Sequence, residues 1–187
     1  MSDVLNFLQQ RNSAPRLCAP GPDASQVEVL LQTALRAPDH AWLQPWRFNV
    51  ISGSGRERLG QVFVDALLAN DPLADAAAQD KARAAPLRAP VLIVVSCVVQ
   101  PHPKVPRDEQ LLSAGCAAHS ILLAAEAMGY AGVWRTGSYA TDPHVKIALE
   151  HEPRQEIVAF LYLGSRDGAA KPLPLREVNN YARYWDQ

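Results

Sequence analysis

The residues near the amino terminus that could bind an anion are Arg11, Asn12 and Ser13, followed by Arg16. A guanidinium and a hydroxyl two residues apart can present several hydrogen-bond donors to one phosphate, which arginine binds through its planar fork. Isolated Arg-x-Ser triplets are common, so solvated surface charges are the alternative interpretation of Arg11 and Arg16. The spacing is compatible with a phosphate site but does not distinguish it from solvated surface charges.

A second group of polar and aromatic side chains lies in a proline-bounded loop, residues 36–47. His40 and Gln44 provide donors and acceptors suited to the edge of a heteroaromatic ring. Trp46 begins a predicted strand, so we expect it to anchor the core. Trp42 fits a pocket wall and a cover over the core equally well.

A third stretch, Gly132–Ser138, runs from a predicted strand into a loop that contains a further glycine, Gly137. Glycine lets a ligand approach the backbone closely, and free backbone amides there can donate to an electron-rich atom. An ordinary turn at the end of a strand is the alternative interpretation. Each of the three stretches is therefore suggestive but not decisive alone.

Several classes of chemistry lack the residues that they need. Eighteen Lys plus Arg against nineteen Asp plus Glu give a formal net charge of −1, which disfavours generic nucleic-acid binding. Three cysteines without paired spacing favour neither a disulfide framework nor a metal site, and no Ser-His-Asp arrangement or Gly-x-Ser-x-Gly motif indicates a hydrolase. His119 and Cys116 are interpreted as packed core residues rather than as a metal ligand and a nucleophile.

The apolar runs are too short for a membrane span. The longest, Val91–Val95 with its extension to Val99, falls well short of the ~20 residues required. The first residues carry no basic and apolar pattern of an export signal, so we expect a cytoplasmic protein. Neither a membrane nor a nucleic acid is expected among its partners.

Hydrophobic periodicity predicts the elements that must position these residues. Helices are expected at 3–10, from a Ser25–Glu28 capping box onwards, around 58–67, within 71–85, at 108–128 and after Asp142. Strands are expected at 46–51, 91–99, 131–135 and 156–163. The 91–99 strand should be central, because a continuous apolar run is typical of burial on both faces. The 108–128 helix is apolar or small nearly all round, which favours burial against a second subunit.

A chain of 187 residues is long enough to bury one core, so we expect a single domain over 1–187. Four strands and five or six helices predict a mixed α+β fold. The strands do not alternate strictly with crossover helices, and no Gly-x-Gly-x-x-Gly follows a strand. The doubly wound dinucleotide-binding fold is therefore a poor fit.

Taken in order, these motifs resemble the FMN-dependent nitroreductase family, over about residues 3–164. The resemblance rests on the following segments: Arg11-Asn12-Ser13, Arg36-Ala37-Pro38-Asp39-His40, Leu43-Gln44-Pro45-Trp46-Arg47-Phe48, Lys104-Val105-Pro106-Arg107, Ser113-Ala114-Gly115-Cys116, Gly132-Val133-Trp134-Arg135-Thr136-Gly137 and Phe160-Leu161-Tyr162-Leu163-Gly164. The Gln-Pro-Trp motif and the Trp-Arg-Thr-Gly loop in one chain are fairly specific, whereas the Arg and Ser pair is generic.

The resemblance implies a nitroreductase-like α+β fold: a largely antiparallel sheet flanked by helices, with a central buried helix at a homodimer interface. It also implies two FMN sites at that interface, and a polar tail, 164–187, that embraces the partner subunit.

In such a site Arg11 and Ser13 would hold the phosphate, with Asn12 beside them. His40 and Gln44 would reach flavin bound mainly by the other subunit. The backbone at Thr136 and Gly137 would face flavin N5, and Trp134 and Arg135 would lie beside it.

The implied activity is a ping-pong cycle in which NAD(P)H reduces FMN and a small nitroaromatic or quinone-like acceptor is then reduced. No catalytic side chain and no metal are required, since hydride transfer takes place at the flavin. The alternatives are a flavin-binding or storage module without turnover, and a specialised flavin reaction on the same fold.

One departure from the family pattern concerns the charge near the phosphate. Pro15 stands where relatives carry a basic residue two after the serine, although Arg16 follows it. In the tail, Lys171 or Arg166 is the candidate for an additional phosphate contact.

Overall fold

The computed structural model describes residues 3–185 and contains one five-stranded sheet. Its strands are β1 (Leu17–Cys18), β2 (Trp46–Ser52), β3 (Val91–Val98), β4 (Ala131–Arg135) and β5 (Gln155–Arg166). The order is β1-β5-β3-β2, with β4 also paired to β5, and every pairing is antiparallel. The predicted α+β class with a largely antiparallel sheet is confirmed. The ends of the predicted 1–187 domain lie outside the described residues.

Six α-helices surround the sheet in the described part of the chain, residues 3–185. They are α1 (Asp3–Gln10), α2 (Ala24–Ala34), α3 (Gly55–Asn70), α4 (Ala76–Ala84), α5 (Arg107–Ala127) and α6 (Pro143–Ala148). Short 3₁₀ turns follow at His40–Trp42, Ala85–Arg88, Ser138–Ala140 and Val178–Asn180. None of the helices within residues 3–185 is long and apolar enough to cross a bilayer.

Strand β3 lies at the centre of the core, as its apolar run predicts. It pairs with β2 on one edge and β5 on the other, and its residues from Val91 to Cys97 are buried. Because successive side chains of a strand point to opposite faces, Val91, Ile93 and Val95 pack with α2 and α5. Leu92 and Val94 pack with α3 on the other face. The sheet therefore separates two apolar clusters.

Helix α5 buries only one side within its own subunit. Ala114, Ala117, Ala118 and Ile121 face the sheet and are fully buried. Leu112 on the other side is 69% exposed, and Cys116 and His119 are also exposed. The prediction that His119 and Cys116 are packed core residues is wrong for this subunit, because an apolar pattern cannot say which side of a helix meets its own sheet.

Two local predictions near the amino terminus need correction. Helix α2 is capped by Asp23, whose carboxylate accepts from Gln26 N at 2.9 Å while the Gln26 side chain accepts from Asp23 N at 2.9 Å. This reciprocal pair forms the capping box two residues before the predicted Ser25 pair, and Ser25 Oγ instead donates to Asp23 at 2.7 Å. Strand β1 was not predicted, because two residues carry no periodicity.

Apolar side chains at both ends of the chain are unburied in this subunit. In α1, Val4 is 65% exposed and no residue of the helix is buried. In the tail, Leu175 is 93% exposed, Tyr181 72% and Trp185 97%. An embrace of a partner subunit by the 164–187 tail stays a prediction.

The imidazole of His151 joins the turn before β5 to strand β2. Its Nε2 lies 2.9 Å from Asn49 Oδ1, and Asn49 Nδ2 donates to Leu149 O at 3.3 Å. The Asn49 oxygen is thus the acceptor and Nε2 carries the proton. Within residues 3–185 the buried Nδ1 finds no hydrogen-bond partner. Burial, and to a lesser degree Lys146, lowers the pKa of His151.

This lowered pKa predicts a loss of stability in mild acid. The neutral imidazole favours folding above the unfolded pKa of about 6.5, and that contribution is lost as the pH falls through the lower folded pKa. We expect the free energy of unfolding in urea to fall below pH ~6.5, before most carboxylates titrate, and His151→Gln to flatten that fall. Identical pH profiles for the two proteins would contradict the assignment.

Candidate active site

The loop that follows β4 presents unpaired backbone amides. Gly132 O accepts from Ala14 N at 3.0 Å, so the backbone N–H and C=O of residue 132 point away from β5, towards the other edge of β4. Because this direction alternates along a strand, the backbone groups of Trp134 and Thr136 point to the same edge, the one that is not paired with β5. In the described part of the chain, no hydrogen bond occupies the amides of Thr136 and Gly137. Gly137 has φ 77°, a conformation that favours glycine, and both residues are exposed. Two N–H donors are therefore available to a ligand.

A cavity of about 610 Å³ lies beside this loop. One part of its wall is aromatic and consists of Phe63, Tyr139, Phe160 and Tyr162. Burial raises the pKa of Tyr162 and opposes the lowering by Arg135 and Arg88, and burial together with Asp142 raises the pKa of Tyr139. Both phenols are therefore protonated at neutral pH. The cavity has the volume of a small-molecule site and flat, apolar surfaces.

The rest of the cavity wall is positively charged. Its cationic residues are Lys81 and Arg88, at the mouth, and Arg135. Within residues 3–185 none of the three forms an ion pair, and no carboxylate lines the cavity. The Arg135 guanidinium lies 5.6 Å from the Tyr162 ring centroid, and its buried Nε has no protein partner in this part of the chain. An uncompensated buried donor favours a ligand that brings an acceptor or negative charge.

The predicted phosphate segment lies next to this loop. Beyond the Ala14 contact to β4, Arg135 Nη2 lies 3.5 Å from Pro15 O. Asn12 N donates to Glu126 at 3.3 Å, and its side-chain amide donates to Lys171 O at 2.6 Å. The structure thus brings Arg11, Asn12 and Ser13, all half-buried, into the neighbourhood of Trp134–Gly137. It also brings the tail to them.

A smaller cleft of about 250 Å³ adjoins the phosphate segment. Its basic residues are Arg16, Arg166 and Lys171, and Asp167 is the acidic one. Both candidate residues for an additional phosphate contact, Lys171 and Arg166, therefore lie on the same side of the molecule as Arg11. Neither is assigned to a ligand by these contacts alone.

Trp134 and Arg135, adjacent in sequence, point to opposite faces of the sheet, as consecutive strand residues must. Trp134 packs with the α2–α5 cluster, over Gly115 of α5. Arg135 enters the cavity on the other face. The two residues that were both expected beside flavin N5 therefore have different surroundings.

The loop with His40 and Gln44 lies at the opposite end of α5. His40 Nδ1 is 2.8 Å from Glu109 Oε2, and Gln44 N donates to Asp39 at 2.8 Å. Glu109 precedes Glu126, the partner of Asn12, by 17 residues, or ~25 Å along the helix. In the described region no hydrogen bond or ion pair links this loop to the Arg11 segment. A single subunit does not bring His40 together with Arg11.

The same loop contains strained backbone. Ala41, Trp42 and Gln44 have φ of 62°, 56° and 47°, although none is glycine. Such strain is concentrated at functional sites and needs support from the surrounding structure. Trp42 is 84% exposed, so it does not cover the core of this subunit, whereas Trp46 is 5% exposed and is the core anchor predicted.

A family model described as the nitroreductase family matches residues 10–165. The chain belongs to this family. An Escherichia coli (strain K12) protein named "Putative NAD(P)H nitroreductase YdjA" is 44% identical over 163 residues, covering 87% of this chain and 88% of that protein. A Haemophilus influenzae protein named "Putative NAD(P)H nitroreductase" is 34% identical over 164 residues, with the same 87% and 88% coverage.

Solved nitroreductase structures share the fold. A nitroreductase-like family protein from Bacillus cereus superposes with a TM-score of 0.86 at 20% identity, covering 100% of this chain and 98% of that one. A nitroreductase with bound FMN from Bacteroides fragilis superposes with a TM-score of 0.76 at 20% identity, covering 98% and 100%. The fold expected from the sequence motifs is thus confirmed.

The cavity beside β4 contains residues that sequence reasoning missed. Lys81, Arg88 and Tyr139 were not candidates, and the 71–85 segment, which contains Lys81, was predicted to be a mobile helical lid without any side chain assigned to a ligand. A weak signal existed, because Lys81 and Arg88 bracket a proline at the end of that helix. Lys81 reaches the cavity only because α4 packs closely against α3. At the point of contact, Gly60 of α3, any side chain would clash with Arg83 O of α4.

Proposed function

We propose that this chain is an FMN-dependent oxidoreductase that passes electrons from NAD(P)H to a nitroaromatic or quinone-like acceptor in a ping-pong cycle. The observation that carries the proposal is the cavity beside β4, where free amides, aromatic walls and unpaired cations adjoin the Arg11 segment. The names of the bacterial relatives and the FMN in the Bacteroides fragilis structure support the same conclusion.

The residues present fit FMN. The buried, unpartnered Nε of Arg135 calls for an acceptor, and the cavity is large enough for a tricyclic ring. The amides of Thr136 and Gly137 would donate to the ring, with Arg135 on one face of the sheet and Trp134 behind the strand. Arg11 and Ser13 would hold the phosphate beside Asn12, and Lys171 would add charge from the tail.

When bound, FMN supplies a two-electron carrier that accepts hydride from the nicotinamide and reduces the acceptor. The protein contributes binding and electrostatics. Fixed N–H dipoles and the cavity cations favour negative charge on the bound ring, and they do so without reorganisation. Consistent with this role, the described residues that line the cavity include no carboxylate or histidine to act as a general base.

The proposed active unit is a homodimer. The open face of α5, the unburied apolar residues of α1 and those of the tail all need cover in water. The His40 loop contacts α5 at Glu109, ~25 Å along the helix from Glu126, the partner of Asn12, so His40 and Gln44 would serve the flavin of the other subunit. We therefore propose that each site combines the Arg11 and Thr136 segments of one copy with the His40 loop of the other.

Leu112→Glu is expected to separate the dimer without unfolding the subunit. Leu112 is 69% exposed, so a carboxylate there is solvated in the monomer but buried in the proposed interface. Sedimentation should give a folded monomer that has lost most of its flavin. Leu73→Glu is the matched control, because Leu73 is 93% exposed on the turn before α4. A dimeric, flavin-loaded Leu112→Glu protein would exclude α5 from the interface.

The proposed function is tested on the purified chain. It should be yellow or bind added FMN stoichiometrically, and NADH or NADPH should bleach the flavin under anaerobic conditions. A nitroaromatic or quinone added next should restore the oxidised spectrum. Retained flavin that neither nicotinamide reduces would instead indicate a flavin-binding module, and a chain unable to bind FMN would overturn the proposal.

A further inference from the structure

Tyr139 attaches the amide-bearing loop to helix α3. Its ring stacks on Phe63 with centroids 3.9 Å apart and planes 2° from parallel. Phe63 is 2% exposed and meets Phe160 of β5 edge-on, with centroids 5.8 Å apart. Tyr139 therefore packs on a ring that belongs to helix α3 and is fixed against β5, the longest strand of the sheet.

A second attachment lies seven residues further along α3. Asn70 Nδ2 donates to Asp142 Oδ2 at 2.8 Å, and Asp142 Oδ1 accepts from the amides of His144 and Val145 at 2.8 and 3.3 Å. Seven residues are about two helical turns, so Phe63 and Asn70 lie on the same side of α3. Helix α3 holds the segment from Tyr139 to Asp142 at two points.

The unpaired amides lie between this attachment and the end of β4. The pairing of β4 with β5 ends at Arg135, opposite Phe160. The turn that follows is closed by Ala140 N donating to Gly137 O and Thr141 N donating to Ser138 O, each at 3.2 Å. Those bonds fix the shape of the turn but not its place over the cavity. The direction of the Thr136 and Gly137 amides is therefore set by β4 on one side and by Tyr139 on the other.

We propose that Tyr139 is a positioning residue that, by stacking on Phe63, aims the Thr136 and Gly137 amides at the bound flavin and thereby sets its reduction potential. The inference rests on the proposed function. Amide donors that are held in place stabilise the electron-rich reduced ring relative to the oxidised ring. If the turn were free to rotate by a few degrees, its amides would stabilise the reduced ring less. The stack, rather than the hydroxyl, is the functional feature.

The test compares Tyr139→Leu with Tyr139→Phe in the flavin-loaded protein. The first substitution removes the ring, and the second keeps the stack and removes only the hydroxyl. Anaerobic titration against a reference dye should show the reduced flavin bound about tenfold less favourably in Tyr139→Leu, a shift of ~30 mV to more negative potential. Tyr139→Phe should match the wild type.

Hydrogen exchange of the flavin-free proteins provides an independent readout. The peptide over residues 134–142 should exchange faster in Tyr139→Leu and at the wild-type rate in Tyr139→Phe. A merely structural role would lower the melting temperature and flavin occupancy, while the flavin that is retained would keep its potential. An unchanged potential in Tyr139→Leu, or an equal shift in Tyr139→Phe, would overturn the inference.

Asn70→Ala keeps the inference testable if Tyr139→Leu does not fold. Asn70 is exposed, so its truncation spares the core while it removes the second attachment of the loop. We expect a shift to more negative potential that is smaller than that of Tyr139→Leu. An unchanged potential would contradict the role of α3 in positioning the loop. Wild-type protein that fails to bind or reduce FMN would refute the proposed function itself, which separates the two failures.

Discussion

Arg11→Ala is expected to weaken FMN binding by about 1.5–3 kcal/mol, roughly 10- to 150-fold, because it removes a charge-assisted fork from the phosphate. Arg11 is half-buried beside the segment that bonds to β4 and to the tail. Its charge is therefore screened less than that of a fully exposed arginine. Fluorescence titration of the apoprotein with FMN measures the effect directly.

Arg154→Ala is the matched control for this substitution. Arg154 immediately precedes β5, whereas Arg166 and the phosphate segment lie at the far end of that twelve-residue strand, ~40 Å away. The same charge change at Arg154 should leave FMN affinity unaltered. Equal affinities for wild type and Arg11→Ala would show that the phosphate binds elsewhere, for instance at Arg16 and Arg166 alone.

Ala118→Glu is expected to prevent folding of the subunit. Ala118 is fully buried on the side of α5 that faces the sheet. An unpaired carboxylate costs several kcal/mol at such a site, and the larger side chain has no space there. Since a domain has only about 5–15 kcal/mol of net stability, most of the protein should be insoluble or unfolded by circular dichroism.

Ala127→Glu provides the control on the same helix. Ala127 ends α5 and is exposed, so the same substitution there should leave the circular dichroism spectrum and the urea midpoint near wild type. Together with Leu112→Glu, the pair separates the two sides of α5. A soluble and folded Ala118→Glu protein would contradict the burial of that side against the sheet.

The sequence predicted most regular elements well because their signals are local. The β-branched run at 91–98 became the central strand, and the 107–127 helix and the 131–135 strand appear within a residue or two of prediction. The Asp23 cap and the two-residue strand β1 were missed. The cap depends on individual side-chain hydrogen bonds, and β1 depends on pairing with the distant strand β5. Hydrophobic periodicity detects neither of these.

The candidate site was predictable in part. The segments around Arg11 and Thr136 carry recognisable residue types, and the contact between Ala14 and Gly132 brings them together. Lys81, Arg88 and Tyr139 were missed, because each reaches the cavity only through packing on α3. The predicted strand at 131–135 already implies that Trp134 and Arg135 point to opposite faces, but the pairing of β4 decides which layer each side chain enters.

By itself, the sequence determined most of the apolar core residues, the approximate bounds of most helices and strands, and the residue types able to bind a phosphate and a ring. These follow from local periodicity and side-chain chemistry. Only the tertiary structure decided which side of α5 meets the sheet, where the unpaired cations converge, and which ring holds the loop at Gly137. Those outcomes depend on contacts between residues far apart in the chain, and such contacts exist only after the sheet has assembled.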